Sequence, residues 1–138
     1  MKYLFLFLIV LSLNTYAQNE QLVLSIDNIT KIKGTIEVGV FNKSDGFLEK
    51  NTAIKNYSIP VNNHTLIYTI KDLPEGDYAI SMYQDINEDK KCNLNFIGVP
   101  KEPYAFSNNV KPKFSAPNFE ECKFRLEKKT KLSISLLE

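Results

Sequence analysis

Asp77-Tyr78-Ala79-Ile80-Ser81-Met82-Tyr83-Gln84 carries the strongest strand pattern in the chain. Tyr78, Ile80 and Met82 recur at a spacing of two, the repeat of an extended segment with one buried face. Asp72-Leu73-Pro74-Glu75-Gly76 just before it reads as a tight turn, because proline presets its own backbone angle and glycine admits the left-handed region. Thr65 to Ile70 reads as another strand, introduced by an Asn62-Asn63 hairpin signal. Tyr57-Ser58-Ile59-Pro60-Val61 reads as an edge strand, since Pro60 has no amide to give to a ladder. Thr35 to Phe41 alternates cleanly, with Ile36, Val38 and Val40 on one face. Leu22, Leu24 and Ile26 form the first such row. The turn formers Asn42 to Gly46 follow the second strand, and Phe47-Leu48 then tucks back onto the core.

Downstream, Cys122 to Leu126 and Leu132 to Leu136 alternate again, separated by a charged turn at Glu127 to Thr130. The count is about seven strands with no amphipathic helix. Short strands with regular turn signals predict an all-β fold, an antiparallel β-sandwich of about seven strands.

One long segment, Asp85 to Phe119, follows neither the helical nor the strand period. A structureless run of that length in a compact domain usually has a role. Its aromatics Phe96, Tyr104, Phe106, Phe114 and Phe119 argue that it is ordered. Asp85, Asn87 and Asp89 set oxygen side chains at alternate positions, and Asn93 follows. Calcium takes six to eight oxygens, so this is half of a calcium shell. The other reading is an Asx-rich turn, in which these side chains bond the local backbone. Lys90 stands where a calcium loop needs glycine and Phe96 where it needs a bidentate glutamate. Tyr104, Phe106, Ser107, Asn108 and Asn109 place aromatics beside hydrogen-bonding groups on a proline-stiffened loop, a candidate ligand site. The alternative is that the aromatics plug one end of the fold.

Catalysis finds little support. His64, the sole histidine, lies at the Asn62-Asn63 turn, and neither a zinc-ligand cluster nor a phosphate-cradling glycine run is present. A hydrolase would have to use the carboxylates of Asp85, Asp89 and Glu102.

The first seventeen residues read separately from the domain. Met1-Lys2 is a short positive start, Tyr3 to Leu13 is apolar and uncharged, and Ala17 ends a small-residue site. That is a signal peptide, too short in its apolar run to span a membrane. Residues 18–138 are then one domain, exported to the periplasm or secreted, with an extracytoplasmic ligand or protein as its partner. Without Met1–Ala17, sixteen basic side chains balance sixteen acidic ones. A nucleic-acid binder would show a basic excess. Cys92 and Cys122 both remain; in an oxidising compartment an even count suggests a bridge, with two free thiols as the alternative.

Five motifs in order carry a resemblance. They are Leu73-Pro74-Glu75-Gly76-Asp77-Tyr78-Ala79-Ile80, Asp85-x-Asn87, Phe96-Ile97-Gly98-Val99-Pro100-Lys101-Glu102, Tyr104-x-Phe106-Ser107-Asn108-Asn109 and Pro117-x-Phe119-Glu120. Together they resemble the DUF2141 family, small exported bacterial proteins common in Bacteroidetes. The resemblance implies a transthyretin-like or immunoglobulin-like β-sandwich from about Leu22 to the C-terminus, and no activity. The family's loop reads Asp-x-Asn-x-Asn-Gly-x-x-Asp, so Lys90 and Asn93 depart from it. Cys92 and Cys122 stand where the family suggests leucine and alanine, which favours a disulfide between them. The resulting expectation is a non-enzymatic binding or surface-associated module acting through residues 85–119. A purely structural domain whose loop caps the core, and a carboxylate hydrolase, are the alternatives.

Overall fold

The computed structural model describes residues 20–138, so the expected signal peptide at 1–17 lies outside the described residues. Among the described residues, eight strands run in chain order: β1 (Gln21–Asp27), β2 (Thr35–Phe41), β3 (Lys55–Pro60), β4 (Leu66–Ile70), β5 (Gly76–Asp85), β6 (Tyr104–Phe106), β7 (Phe124–Leu126) and β8 (Lys129–Ser135). A 3-10 turn covers Ser107–Asn109, and one helical turn, α1, covers Phe119–Cys122. The fold is all-β. One sheet has the order β4-β1-β8; the other has the order β3-β2-β5-β6, with β7 paired to the start of β5.

Alternation places the core. Leu22, Leu24 and Ile26 of β1, Ile36, Val38 and Val40 of β2, and Tyr78, Ile80 and Met82 of β5 are buried in one cluster. Ile134 of β8 and Leu126 of β7 join it, so both sheets contribute. β5 is buried on its other face as well. There Ala79, Phe41, Phe106, Phe119 and Cys122 form a second cluster, with Phe47 and Leu48 packed on it. Phe47 sits edge-on between Phe41 and Phe119, at 5.1 and 5.8 Å. A sheet face needs an apolar cover to be buried, and the loops after β2 and β6 supply it.

Several expectations change. The seven expected strands are eight, and they are not all antiparallel: β8 runs parallel to β1, with Leu24 opposite Leu132. The Asn62-Asn63 signal does not close a hairpin, because β3 pairs with β2 and β4 with β1. It is a crossover between the sheets. Cys122 belongs to α1 rather than to the strand beginning at Phe124. Asn118 caps that turn by accepting from the Glu121 amide while Glu121 accepts from the Asn118 amide, a capping box. The irregular segment also holds a strand. β6 pairs with Ser81 to Tyr83 of β5, but at three residues it is too short to show a period.

One glycine is fixed by position. Gly34 has φ +72, and a Cβ there would lie 1.9 Å from the Asp85 carbonyl oxygen. Only glycine lets β2 start so close to the end of β5.

Candidate functional site

The segment from Asp85 to Phe119 resolves into three local structures. The first is the acidic turn. Asp85 is buried at the end of β5, and its two carboxylate oxygens accept from the amides of Asp89 at 3.2 Å and Lys90 at 2.8 Å. Glu88 and Lys90 take left-handed φ values of 58 and 57, which curls the backbone round that carboxylate. Asp89 accepts from the Lys91 amide at 2.9 Å and from the side-chain amides of Asn93 and Asn87 at 3.0 and 3.2 Å. These bonds, that of Asn93 first, hold the Asp89 carboxyl below the usual carboxylate range. Glu102 anchors the far side, accepting from the Ile86 amide at 3.1 Å.

Asp85, Asn87, Asp89 and Asn93 therefore do come together, but as an Asx-turn network. Asn87 and Asn93 donate their side-chain nitrogens to the Asp89 carboxylate, and the Asn87 oxygen accepts from the Asp89 amide. In this geometry the carboxylates serve backbone and side-chain amides. Among the described residues, no group of three or more His, Cys, Asp or Glu is placed to hold a metal ion. Asp85 is buried, and both of its oxygens accept from backbone amides.

The second structure is a narrow hairpin over residues 93–101. Leu94 faces Pro100, Lys101 donates to the Asn93 carbonyl at 2.7 Å, and Asn95 donates to the Val99 carbonyl at 2.8 Å. The Asn95 side chain accepts from the amides of Ile97 and Val99, both at 3.0 Å, and Gly98 closes the turn onto the Asn95 carbonyl with φ 83. Local bonds thus pin the tip. Its apolar side chains point into water: Phe96 is 100% exposed and Ile97 69%, with Leu94 and Val99 also exposed. Phe114, on the third loop, is fully exposed as well.

The third structure holds the expected ligand residues, and it is built inward. Phe106 and Ser107 are buried, and the Ser107 hydroxyl accepts from the Ile80 amide and donates to the Cys122 carbonyl. Asn108, with φ 61, donates to the carbonyls of Glu121 and Lys123. Asn109, with φ 53, donates to the Ser133 carbonyl at 3.0 Å and accepts from the Ser135 amide at 2.8 Å. Tyr104 exchanges two backbone bonds with Leu137 and rests its half-buried ring against Phe106. These residues tie β6 to the end of β8 and so join the two sheets along one edge. A recess of about 270 Å³ opens beside them between Asn28, Phe106, Asn109, Val110 and Leu137. Both asparagines there already bond backbone, Asn28 to the Leu136 carbonyl.

The expected Cys92–Cys122 bridge is not formed; both thiols are free. Cys92 is exposed on the acidic turn, whereas Cys122 is enclosed by the second cluster. Burial pushes the Cys122 thiol up to about 11, with the Glu121 carboxylate adding to the shift. His64 is structural, its Nδ1 2.6 Å from the Ile29 carbonyl.

The exposed tip at Phe96 and Ile97 is the feature that sequence reading passed over. Its signal was present: Asn95-Phe96-Ile97-Gly98 has turn formers at both ends, which forces the two large residues between them outward.

No curated protein sequence matches the chain, and no solved structure does. A family model does match, over residues 24–134, and its description is an uncharacterized protein conserved in bacteria. With that match covering most of the domain and both of its sheets, the chain belongs to the DUF2141 family.

Proposed function

We propose that the protein is an exported, non-enzymatic binding module whose contact face is the apolar tip of the 93–101 hairpin. The observation that carries this reading is the contrast within one segment. Residues 104–109 are spent on closing the fold, while Leu94, Phe96, Ile97 and Val99 are held rigidly in water. Clustered exposed apolar residues on a soluble surface mark interaction sites. The scaffold is read as a β-sandwich of transthyretin-like or immunoglobulin-like type. One cluster shared by both sheets supports it. So does the Tyr78 hydroxyl, which donates to the Pro74 carbonyl at 2.7 Å, four residues upstream, as in the tyrosine corner of such sandwiches.

The test compares two sets of substitutions. Phe96→Ser with Ile97→Ser should leave the melting temperature unchanged, whereas Phe106→Ala should lower it as a core change does. A comparable fall from the tip substitutions would show that the tip belongs to the fold and remove the contact face. Export is tested by the mass of protein recovered outside the cytoplasm, expected to begin at Gln18.

The reading of a purely structural domain has its own support in residues 104–122, which do cap the second cluster. It does not account for the hairpin tip.

A further inference from the structure

The strand edges of the two sheets are not equally protected. A free edge offers unpaired amides and carbonyls to any other strand, and proline, lysine or a covering group blocks it. β3 ends on Pro60, which has no amide to give. β8 carries the exposed Lys129 and Lys131, and the Asn109 side chain occupies its edge at Ser133 and Ser135. β6 is covered by Leu137, and β7 is three residues long with Arg125 at its centre. β4 has none of these devices. Among the described residues, Leu66–Ile70 pairs with β1 alone, and it holds neither a charge nor a proline. Its Ile67 is 68% exposed, and no other large apolar side chain within the described strands is exposed. Tyr68 stands half-buried beside Tyr57 of β3, ring centroids 5.9 Å apart. The neutrality runs on past the strand: Asn56 to Ile70 contains no lysine, arginine, aspartate or glutamate. Just outside that stretch Lys55 and Asp72 pair with each other at 3.1 Å, next to the exposed Lys71.

The geometry points to the β4 edge as the interface with a second copy of this chain, the two β4 strands pairing antiparallel about a two-fold axis. The inference is independent of the contact face at the hairpin. The strand is its own complement. A register centred on Tyr68 pairs all five residues, with Leu66 opposite Ile70 of the second copy, Ile67 opposite its Thr69, and Tyr68 opposite its Tyr68. Cross-strand pairs of aromatic and β-branched residues stabilise a sheet. Leu66 and Ile70 are buried and Ile67 and Thr69 exposed, so in this register each face of the sheet continues across the seam with like polarity. Lys71 falls opposite Thr65 of the second copy and Asp72 opposite its His64, so no like charges meet. The β4-β1-β8 sheet becomes six-stranded, and Ile67 and the Tyr57–Tyr68 pair gain cover. Pairing consumes the unprotected edge of both copies, so the contact closes at two. A five-residue seam is smaller than a standard interface, which sets the dissociation constant on the order of 10–100 μM.

Sedimentation velocity of the purified protein over a concentration series tests this. The sedimentation coefficient should rise toward that of a dimer as concentration passes about 100 μM. Ile67→Lys with Thr69→Lys sets like charges opposite each other twice across the seam and should weaken association about tenfold or more. Ile67→Lys with Thr69→Glu charges the same two positions but sets opposite charges face to face. It should return association to within about threefold of the unaltered protein. Both side chains are exposed in the single chain, so the melting temperature of dilute protein should hold in both variants. A protein that stays monomeric up to about 1 mM overturns the inference. So does association that the two charge patterns leave equal. Association lost on Phe96→Ser with Ile97→Ser, yet kept by Ile67→Lys with Thr69→Lys, would move the self-contact to the hairpin and likewise overturns it.

Discussion

At the residue scale, four positions carry consequences out of proportion to their size. Gly34→Ala would put a methyl group into the Asp85 carbonyl and strain a left-handed backbone at the same time. It should cost about 1–3 kcal/mol or more, seen as a lower urea midpoint with an unchanged slope. Tyr78→Phe deletes only the hydroxyl that reaches Pro74 and should cost about 1 kcal/mol in the same measurement. The cysteines separate by reactivity. Cys92 should label quickly with a thiol reagent in the native protein, and Cys122 only after denaturation. Burial raises the Cys122 thiol from 9.0 to about 11, so its neutral form is favoured in the fold. The stability this provides is complete below pH 9 and is lost as pH rises toward 11. An alkaline titration of folding should show that loss, and Cys122→Ala should flatten it.

At the scale of elements, the acidic turn and the sheet seam behave as rigid pieces for different reasons. The carboxylates of Asp85 and Asp89 already accept from amides, so calcium would have to share their oxygens with those donors. Millimolar calcium and a chelator should give the same melting temperature, and a clear rise with calcium would refute the Asx-turn account. At the seam, Asn109 stands in for a missing strand partner of Ser133 and Ser135. Asn109→Ala should speed hydrogen exchange of the Ser135 amide about tenfold. These two elements also show what a sequence reveals. β1, β2 and β5 were legible because one-sided burial writes itself as alternation. β6 and α1 were not, being three and four residues long and stabilised by distant partners. The acidic turn was legible in type, since Asp and Asn at such spacing serve either a cation or the backbone. The choice between them depends on which way each amide turns. Asn108 and Asn109 looked like ligand groups for a related reason: nothing local shows that their partners lie on α1 and β8.

At the scale of the whole molecule, the parallel seam between β1 and β8 sets a timetable. Asp27 and Ser135 hydrogen-bond across 108 positions of chain. A chain that emerges from its N-terminus, during synthesis or translocation, can pair β1 with β4 early. The other edge of β1 stays open until β8 is available to pair. The β4-β1-β8 sheet is therefore completed only once Lys129–Ser135 is available. Long-range closure of this kind is slow, so refolding should take milliseconds to seconds. A chain stopped before Lys129 should remain protease-sensitive however long it is left. Protease resistance is thus a property of the closed β1–β8 seam.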